Sequence, residues 1–141
     1  MKLLDANVLL HAYNPHAPMH AGARRWLEGA LSDDEPVGLA WIVLLAFIRI
    51  STNPRAVASP VKIELVCETL DQLLQCAPVR VVQPGPEHWS HVRRLLLAVG
   101  TGGNLTTDAH LAALAIEHGA TLISYDNDFG RFEHLRWERP E

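Results

Sequence analysis

The chain opens Lys2-Leu3-Leu4-Asp5-Ala6-Asn7-Val8-Leu9-Leu10-His11, and the reading of this stretch decides the fold class. Lys2 to Asp5 reads as a short buried strand ending in an acid. Asn7 to His11 reads as a short helix closed by Tyr13-Asn14-Pro15. A carboxylate placed directly after an apolar strand lies near the core and needs a partner. Asp5 is therefore the first candidate site residue. Asn7 either caps the following helix or orients that carboxylate.

The same alternation of short apolar runs and amphipathic stretches recurs outward from this start, which is the α/β pattern. His20 to Leu31 carries Ala23, Trp26, Leu27, Ala30 and Leu31 on one helical face. Val37 to Ala40 is a second strand, and Trp41 to Ser51 a buried helix broken by Thr52-Asn53-Pro54-Arg55. Ser59-Pro60 predicts a helix start, with Ser as cap and Pro at the first helical position. Ile63, Val66, Leu70, Leu73 and Leu74 form its apolar stripe. Val79 to Val82 is a third strand, and a helix from Glu87 to Val99 follows. Thr106 or Thr107 caps a helix running to His118, with Gly119 as its stop. Thr121 to Ser124 is a fourth strand, and the tail around Leu135-Arg136-Trp137 adds an edge strand. Strands separated by helices require right-handed crossovers and a parallel sheet. Ligands of such sheets bind beyond the carboxyl ends of the strands.

The chain has 141 residues, enough for a single domain over residues 1–141 that buries about 68% of its unfolded surface. With 48% hydrophobic and 20% charged residues it is neither disordered nor fibrous. The longest apolar stretch, Val37 to Ile50, is short and interrupted by Arg49, so no membrane span is expected. The sequence after Met1 fits no secretory leader, and two cysteines, Cys67 and Cys76, make no disulfide framework. A reduced cytoplasmic location is the expectation, with both cysteines as small core residues. The net charge of −4 argues against a typical nucleic-acid binder, whose domain pI exceeds about 9. Ten of the twelve basic residues are nevertheless Arg, the side chain suited to phosphate.

Asp126 and Asp128 follow the fourth strand, and Asp108 opens the helix before it. Crossover geometry converges these acids with Asp5 on one edge of the sheet. Packed like charges raise one another's pKa and destabilise the fold. A hard divalent cation removes that penalty, which points to Mg²⁺ or Mn²⁺. Plainer readings stand beside this one: Asp108 complements a helix dipole, and Asp126 belongs to an ordinary turn.

Four blocks together resemble the PIN-domain ribonucleases, specifically the VapC-type toxins of toxin–antitoxin pairs. They are Leu3-Leu4-Asp5-Ala6-Asn7-Val8-Leu9-Leu10, Phe47-Ile48-Arg49-Ile50-Ser51-Thr52-Asn53-Pro54-Arg55, the stretch Asn104 to Ala115, and Ser124-Tyr125-Asp126-Asn127-Asp128-Phe129. The resemblance implies a three-layer α/β/α sandwich around a central parallel sheet. It implies an Mg²⁺- or Mn²⁺-dependent endoribonuclease that leaves 5′-phosphate and 3′-hydroxyl ends. It also implies a homodimer held in check by a small VapB-like antitoxin. By matching positions, Asp5, Asp108 and Asp126 are the catalytic metal-site acids, and Asp128 either assists at the metal or fixes the turn. Asn7, Arg49 and Thr107 are the substrate-side candidates; Arg49 contacts phosphate or pairs with a site Asp, and Thr107 contacts phosphate or caps its helix. One departure stands out. The family usually carries a Glu three residues before Arg49, where this chain has Ala46. That substitution raises the alternative of a catalytically impaired module that binds RNA or antitoxin.

Other signals point elsewhere than to a site. His16 with His20, and His88 with His91, have helical spacing but lack a third zinc ligand. Gly100-Thr101-Gly102-Gly103 lacks the Lys-Ser/Thr of a P-loop. Ser124 has no nucleophile-elbow context. Trp26, Trp41 and Trp89 read as core or interface, and Trp137 less so.

Overall fold

The computed structural model describes residues 1–141. Five parallel strands form one sheet in the order β3-β2-β1-β4-β5. They are β1 (Lys2–Leu4), β2 (Val37–Ala40), β3 (Val79–Val82), β4 (Thr121–Ile123) and β5 (Trp137–Glu138). Six helices connect them: α1 (Ala6–Tyr13), α2 (His20–Leu31), α3 (Trp41–Ser51), α4 (Ile63–Leu74), α5 (His88–Val99) and α6 (Thr106–Glu117). The chain steps from β1 to β2 to β3 in one direction, then returns across the sheet to β4. Right-handed crossovers taken in opposite directions lie on opposite faces. That rule puts α1–α4 on one face and the packed pair α5 and α6 on the other, giving three layers around the parallel sheet.

Covering both faces explains the unbroken apolar runs of the strands. Leu3, Leu4, Leu39, Leu122 and Ile123 are all essentially inaccessible, and β2 is buried along its whole length. Gly38 sits at the tightest point of β2: a Cβ there would lie 3.1 Å from both Leu3 Cδ1 and Met1 Sδ. On the second face, His88 ties α5 to α6. Its Nδ1 pairs with Glu117 at 2.8 Å and its Nε2 with His110 Nδ1 at 2.8 Å. His110 and Glu117 are two turns apart on α6, so one ring bridges both.

Several local expectations need correction. Helix α4 begins at Ile63 with Lys62 at its cap, not at Ser59-Pro60. The Val61 amide is instead taken by the Ser51 carbonyl at 2.8 Å, which holds residues before α4 as a connection. Neither Thr106 nor Thr107 caps α6. A 3₁₀ turn at Gly103–Leu105 runs directly into that helix, and no side chain caps it. Helix α3 is buried on one side only, since Trp41 and Leu45 are about half exposed. Trp89 is 68% exposed and Cys67 lies on the surface, so neither belongs to the core. Trp137 packs against the core, and its indole N–H donates to the Ser124 carbonyl at 3.0 Å. No helix is long and apolar enough to cross a membrane.

Leu122, fully buried in β4 beside β1, is the natural probe of this core. Leu122→Ala is expected to lower stability by about 2–5 kcal/mol. Urea unfolding should show a lower midpoint with an unchanged slope.

Candidate active site

Strands β1 and β4 are adjacent, and the chain leaves them on opposite sides of the sheet. The crevice beyond their carboxyl ends is thus the switch point of the topology, where open α/β sheets bind ligands. The register pairs Leu4 with Ile123, so the next residues, Asp5 and Ser124, emerge side by side. The Asp5 amide completes the pairing by donating to the Ile123 carbonyl at 2.9 Å.

Asp5 caps α1. Its Oδ1 accepts the Ala6 amide at 2.7 Å, and its Oδ2 accepts the Ser124 hydroxyl at 2.6 Å and Asn7 Nδ2 at 3.1 Å. Ser124 is fully buried. Besides donating to Asp5, its oxygen accepts Asn7 Nδ2 and the Asp126 amide, each at 3.0 Å. One donor and two lone pairs are the whole capacity of a hydroxyl. Asn7 accepts the Tyr125 amide at 3.2 Å through its own carbonyl. Of the two roles open to Asn7, the structure shows the second: Asp5 is the cap, and Asn7 orients its carboxylate. Ser124 escaped the sequence reading because a lone Ser lacks a nucleophile signature. The available signal was its place, the first polar residue after an apolar strand.

Asp108 lies in the first turn of α6. Asp126 caps the 3₁₀ turn Asn127–Arg131, its Oδ1 accepting the Asp128 amide at 2.9 Å. Carboxylate oxygens of Asp108, Asp126 and Asp128 lie within 4.8 Å of one another. Asp5 stands beside this trio rather than in it, but its charge acts on Asp108, and it feels that of Asp126 in turn. Burial, then the charges of Asp126, Asp5 and Asp128, push the Asp108 carboxyl up to about 6. Burial also raises Asp5, against the stabilising bonds from Ser124 and Ala6, and Asp126 adds to the rise. No Lys, Arg or His lies within 4.0 Å of any of the four acids.

A recess of about 150 Å³ adjoins them, lined by Asp5, Asp108, Thr107, Ala46 and Arg49 among others. The methyl of Ala46 thus faces the acids, and no carboxylate enters from α3. Arg49 is exposed at the rim and makes no ion pair, so it does not neutralise Asp5 or Asp108. Thr107 is exposed beside it.

The raised carboxyl of Asp108 has a consequence for stability. The folded chain holds this proton where the unfolded chain, titrating near about 3.9, has lost it. Stability from this group is therefore present at the acid end and falls as pH rises through about 6. In EDTA, Asp108→Asn should gain Tm over the parent above about pH 6, with the gain vanishing toward about pH 4. A gain independent of pH would contradict the charge crowding.

Residues 2–135 match the family PIN domain. Over 140 residues the chain is 46% identical to Ribonuclease VapC37 of Mycobacterium tuberculosis, covering 99% of this chain and 97% of that protein. It is 41% identical to Ribonuclease VapC43 of the same organism, covering 99% and 95%. Its fold is similar to VapBC2 from Rickettsia felis, solved bound to a DNA fragment from their promoter. The TM-score there is 0.71 at 21% identity, over 99% of this chain and 98% of that one. Mycobacterium tuberculosis VapC20, a Sarcin-Ricin loop cleaving toxin, superposes with a TM-score of 0.69 at 16% identity, covering 96% and 99%. With the acids gathered at the switch point and relatives of this identity along its full length, the chain belongs to the PIN domain family, among its VapC-type ribonucleases.

Proposed function

We propose that this chain is a divalent-metal-dependent endoribonuclease, the toxin of a toxin–antitoxin pair, folded as one PIN-like domain over residues 1–141. The observation that carries this reading is the uncompensated trio Asp108, Asp126 and Asp128, with Asp108 pushed up to about 6 at the sheet's switch point. An all-oxygen donor set without a basic partner suits a hard cation, Mg²⁺ or Mn²⁺. Asp108, Asp126 and Asp128 would hold it, Asp126 by way of a water, with Asp5 as a fourth anionic neighbour. When bound, the cation polarises the scissile phosphate and offsets the charge that develops on it.

The protein's own groups do the rest. Asn7 and Ser124 fix Asp5 so that its charge stays aimed at the cleft. Asp126 takes the proton from the attacking water, its other oxygen being engaged by the Asp128 amide. Thr107 and Arg49 meet the substrate at the rim of the recess. In-line displacement then leaves 5′-phosphate and 3′-hydroxyl ends. The ribose 2′-hydroxyl is not the nucleophile, so selection of RNA rests on binding. Asp108 must lose its proton before it binds metal, so proton and cation compete there and more metal is needed for cleavage as pH falls below about 6. Several relatives in fold were solved as VapBC or FitAB assemblies, which supports a small VapB-like antitoxin as partner. An apolar groove of about 820 Å³, lined by Leu10, Tyr13, Phe47, Ile50, Val57 and Val61 among others, has room for a segment of such a chain. The protomer acts as a homodimer in the cytoplasm.

Purified, antitoxin-free chain is expected to cut a broad RNA pool with Mg²⁺ or Mn²⁺ and not with EDTA. Asp5→Asn, Asp108→Asn and Asp126→Asn should each slow cutting by about 10²-fold or more, the scale of losing preorganised charge stabilisation. Fragment mapping should show 5′-phosphate ends. A folded, metal-supplied chain that cuts nothing would replace this reading with the impaired binding module that Ala46 suggests.

A further inference from the structure

The ribonuclease reading leaves an electrostatic question. A chain of net charge −4 with four clustered acids repels the polyanion it is to cut. Something beside the acids has to hold the RNA backbone.

Arg139 has the chemistry and the position. Strand β5 pairs with β4 in the register Ile123 to Glu138, and the Ser124 amide donates to the Glu138 carbonyl at 3.1 Å. The next residue, Arg139, is thereby brought against the turn that carries the acids. Its Nη1 donates to the Tyr125 carbonyl at 2.6 Å and to Asn127 Oδ1 at 2.9 Å. Its guanidinium lies over the Tyr125 ring, 5.5 Å from the centroid, and that ring is backed by His11 at 5.1 Å. Tyr125 and Asn127 are the immediate neighbours of Asp126, each one Cα step of about 3.8 Å away.

Two further facts leave Arg139 open to an anion. It makes no ion pair with any carboxylate, although the acid cluster is near. All its hydrogen bonds come from Nη1, leaving the Nε and Nη2 donors unpartnered. Those two nitrogens form the side fork that fits a phosphate in bidentate fashion. The two Nη1 bonds and the Tyr125 ring under the guanidinium hold the fork in place. This preorganisation limits the entropy lost on binding.

We propose that Arg139 is a phosphate clamp for single-stranded RNA, gripping through Nε and Nη2 a backbone phosphate that flanks the one being cut. The clamp is independent of base sequence, and it sits on a different element from Arg49. It rests on the ribonuclease reading for its role in turnover but not for its affinity.

The test pairs a binding measurement with a kinetic one. Fluorescence anisotropy of labelled single-stranded RNAs of differing sequence, in EDTA, follows affinity between about 50 and about 200 mM salt. Arg139→Ala should weaken binding about tenfold for every sequence, as loss of a charge-assisted contact does. It should also reduce the slope of log affinity against log salt by about 0.7, one phosphate of a single strand. Arg139→Lys should keep the slope and recover only part of the affinity. With metal present, Arg139→Ala should raise KM more than it lowers kcat. Asn127→Ala, which loosens the brace and leaves the fork, should keep the full salt slope. An unchanged slope in Arg139→Ala with a fall in kcat would mean that Arg139 only props the acidic turn, and would overturn the clamp. A sequence-dependent loss would overturn it too, in favour of base reading. Parent chain that cuts RNA while Arg139→Ala binds normally removes the clamp alone. Parent chain that cuts nothing, yet shows the slope change, removes hydrolysis and supports the clamp.

Discussion

The Ser124 hydroxyl holds together residues that the sequence keeps 119 positions apart. It donates to Asp5, accepts from Asn7 and accepts from the Asp126 amide, and then has no capacity left. Being fully buried, it has no water to fall back on, so each of those bonds is obligatory. The parallel pairing of β1 with β4 brings the two strand ends together. The hydroxyl then converts that approximate meeting into a fixed angle between the first acid of the chain and the turn bearing the last two.

Around this fixed point the protein assembles negative charge that it does not neutralise. Asp108 shows the strain most clearly, with a carboxyl that keeps its proton up to about 6. The strong parts of the fold lie elsewhere, in a continuous core of apolar side chains on both faces of the sheet. That core tolerates an unfavourable cluster at its edge, since the net stability of a domain is the small difference between far larger opposing contributions. A site under such charge stress is suited to a cation.

Much of this arrangement was legible in the residues. Strand and helix periodicity located β1 to β4 and all six helices, because apolar runs bounded by Gly, Pro and Asn leave few alternatives. The acids stood out as polar residues at strand ends. What could not be read was local hydrogen bonding. Ser59-Pro60 has the letters of a helix start, but the backbone there is engaged with Ser51, and α4 waits for Ile63. Thr106 and Thr107 look like caps, yet a preceding 3₁₀ turn makes a cap unnecessary. Ser124 and Arg139 escaped for a related reason: their partners are carbonyls, carboxylates and amides contributed by other segments, and such contacts leave no periodic trace. Ala46 was visible as a departure. Only the fold shows that it opens a recess against Asp5 and Asp108 in place of a fifth acid.

The central position of β1 also governs timing. Its partner β4 lies more than a hundred residues downstream, so β1 has no neighbour on that side of the nascent sheet until that stretch has been made. At cellular elongation rates of about 5–20 residues per second, that interval is roughly ten seconds. During it, Asp5 is an isolated acid on an unfinished sheet, without Ser124 to aim it or Asp126 to join it. The acidic centre is therefore absent from every intermediate of synthesis that stops short of β4 and the turn after it. A protein whose cleft would attack RNA is in this way harmless to the machinery producing it until that turn has been made.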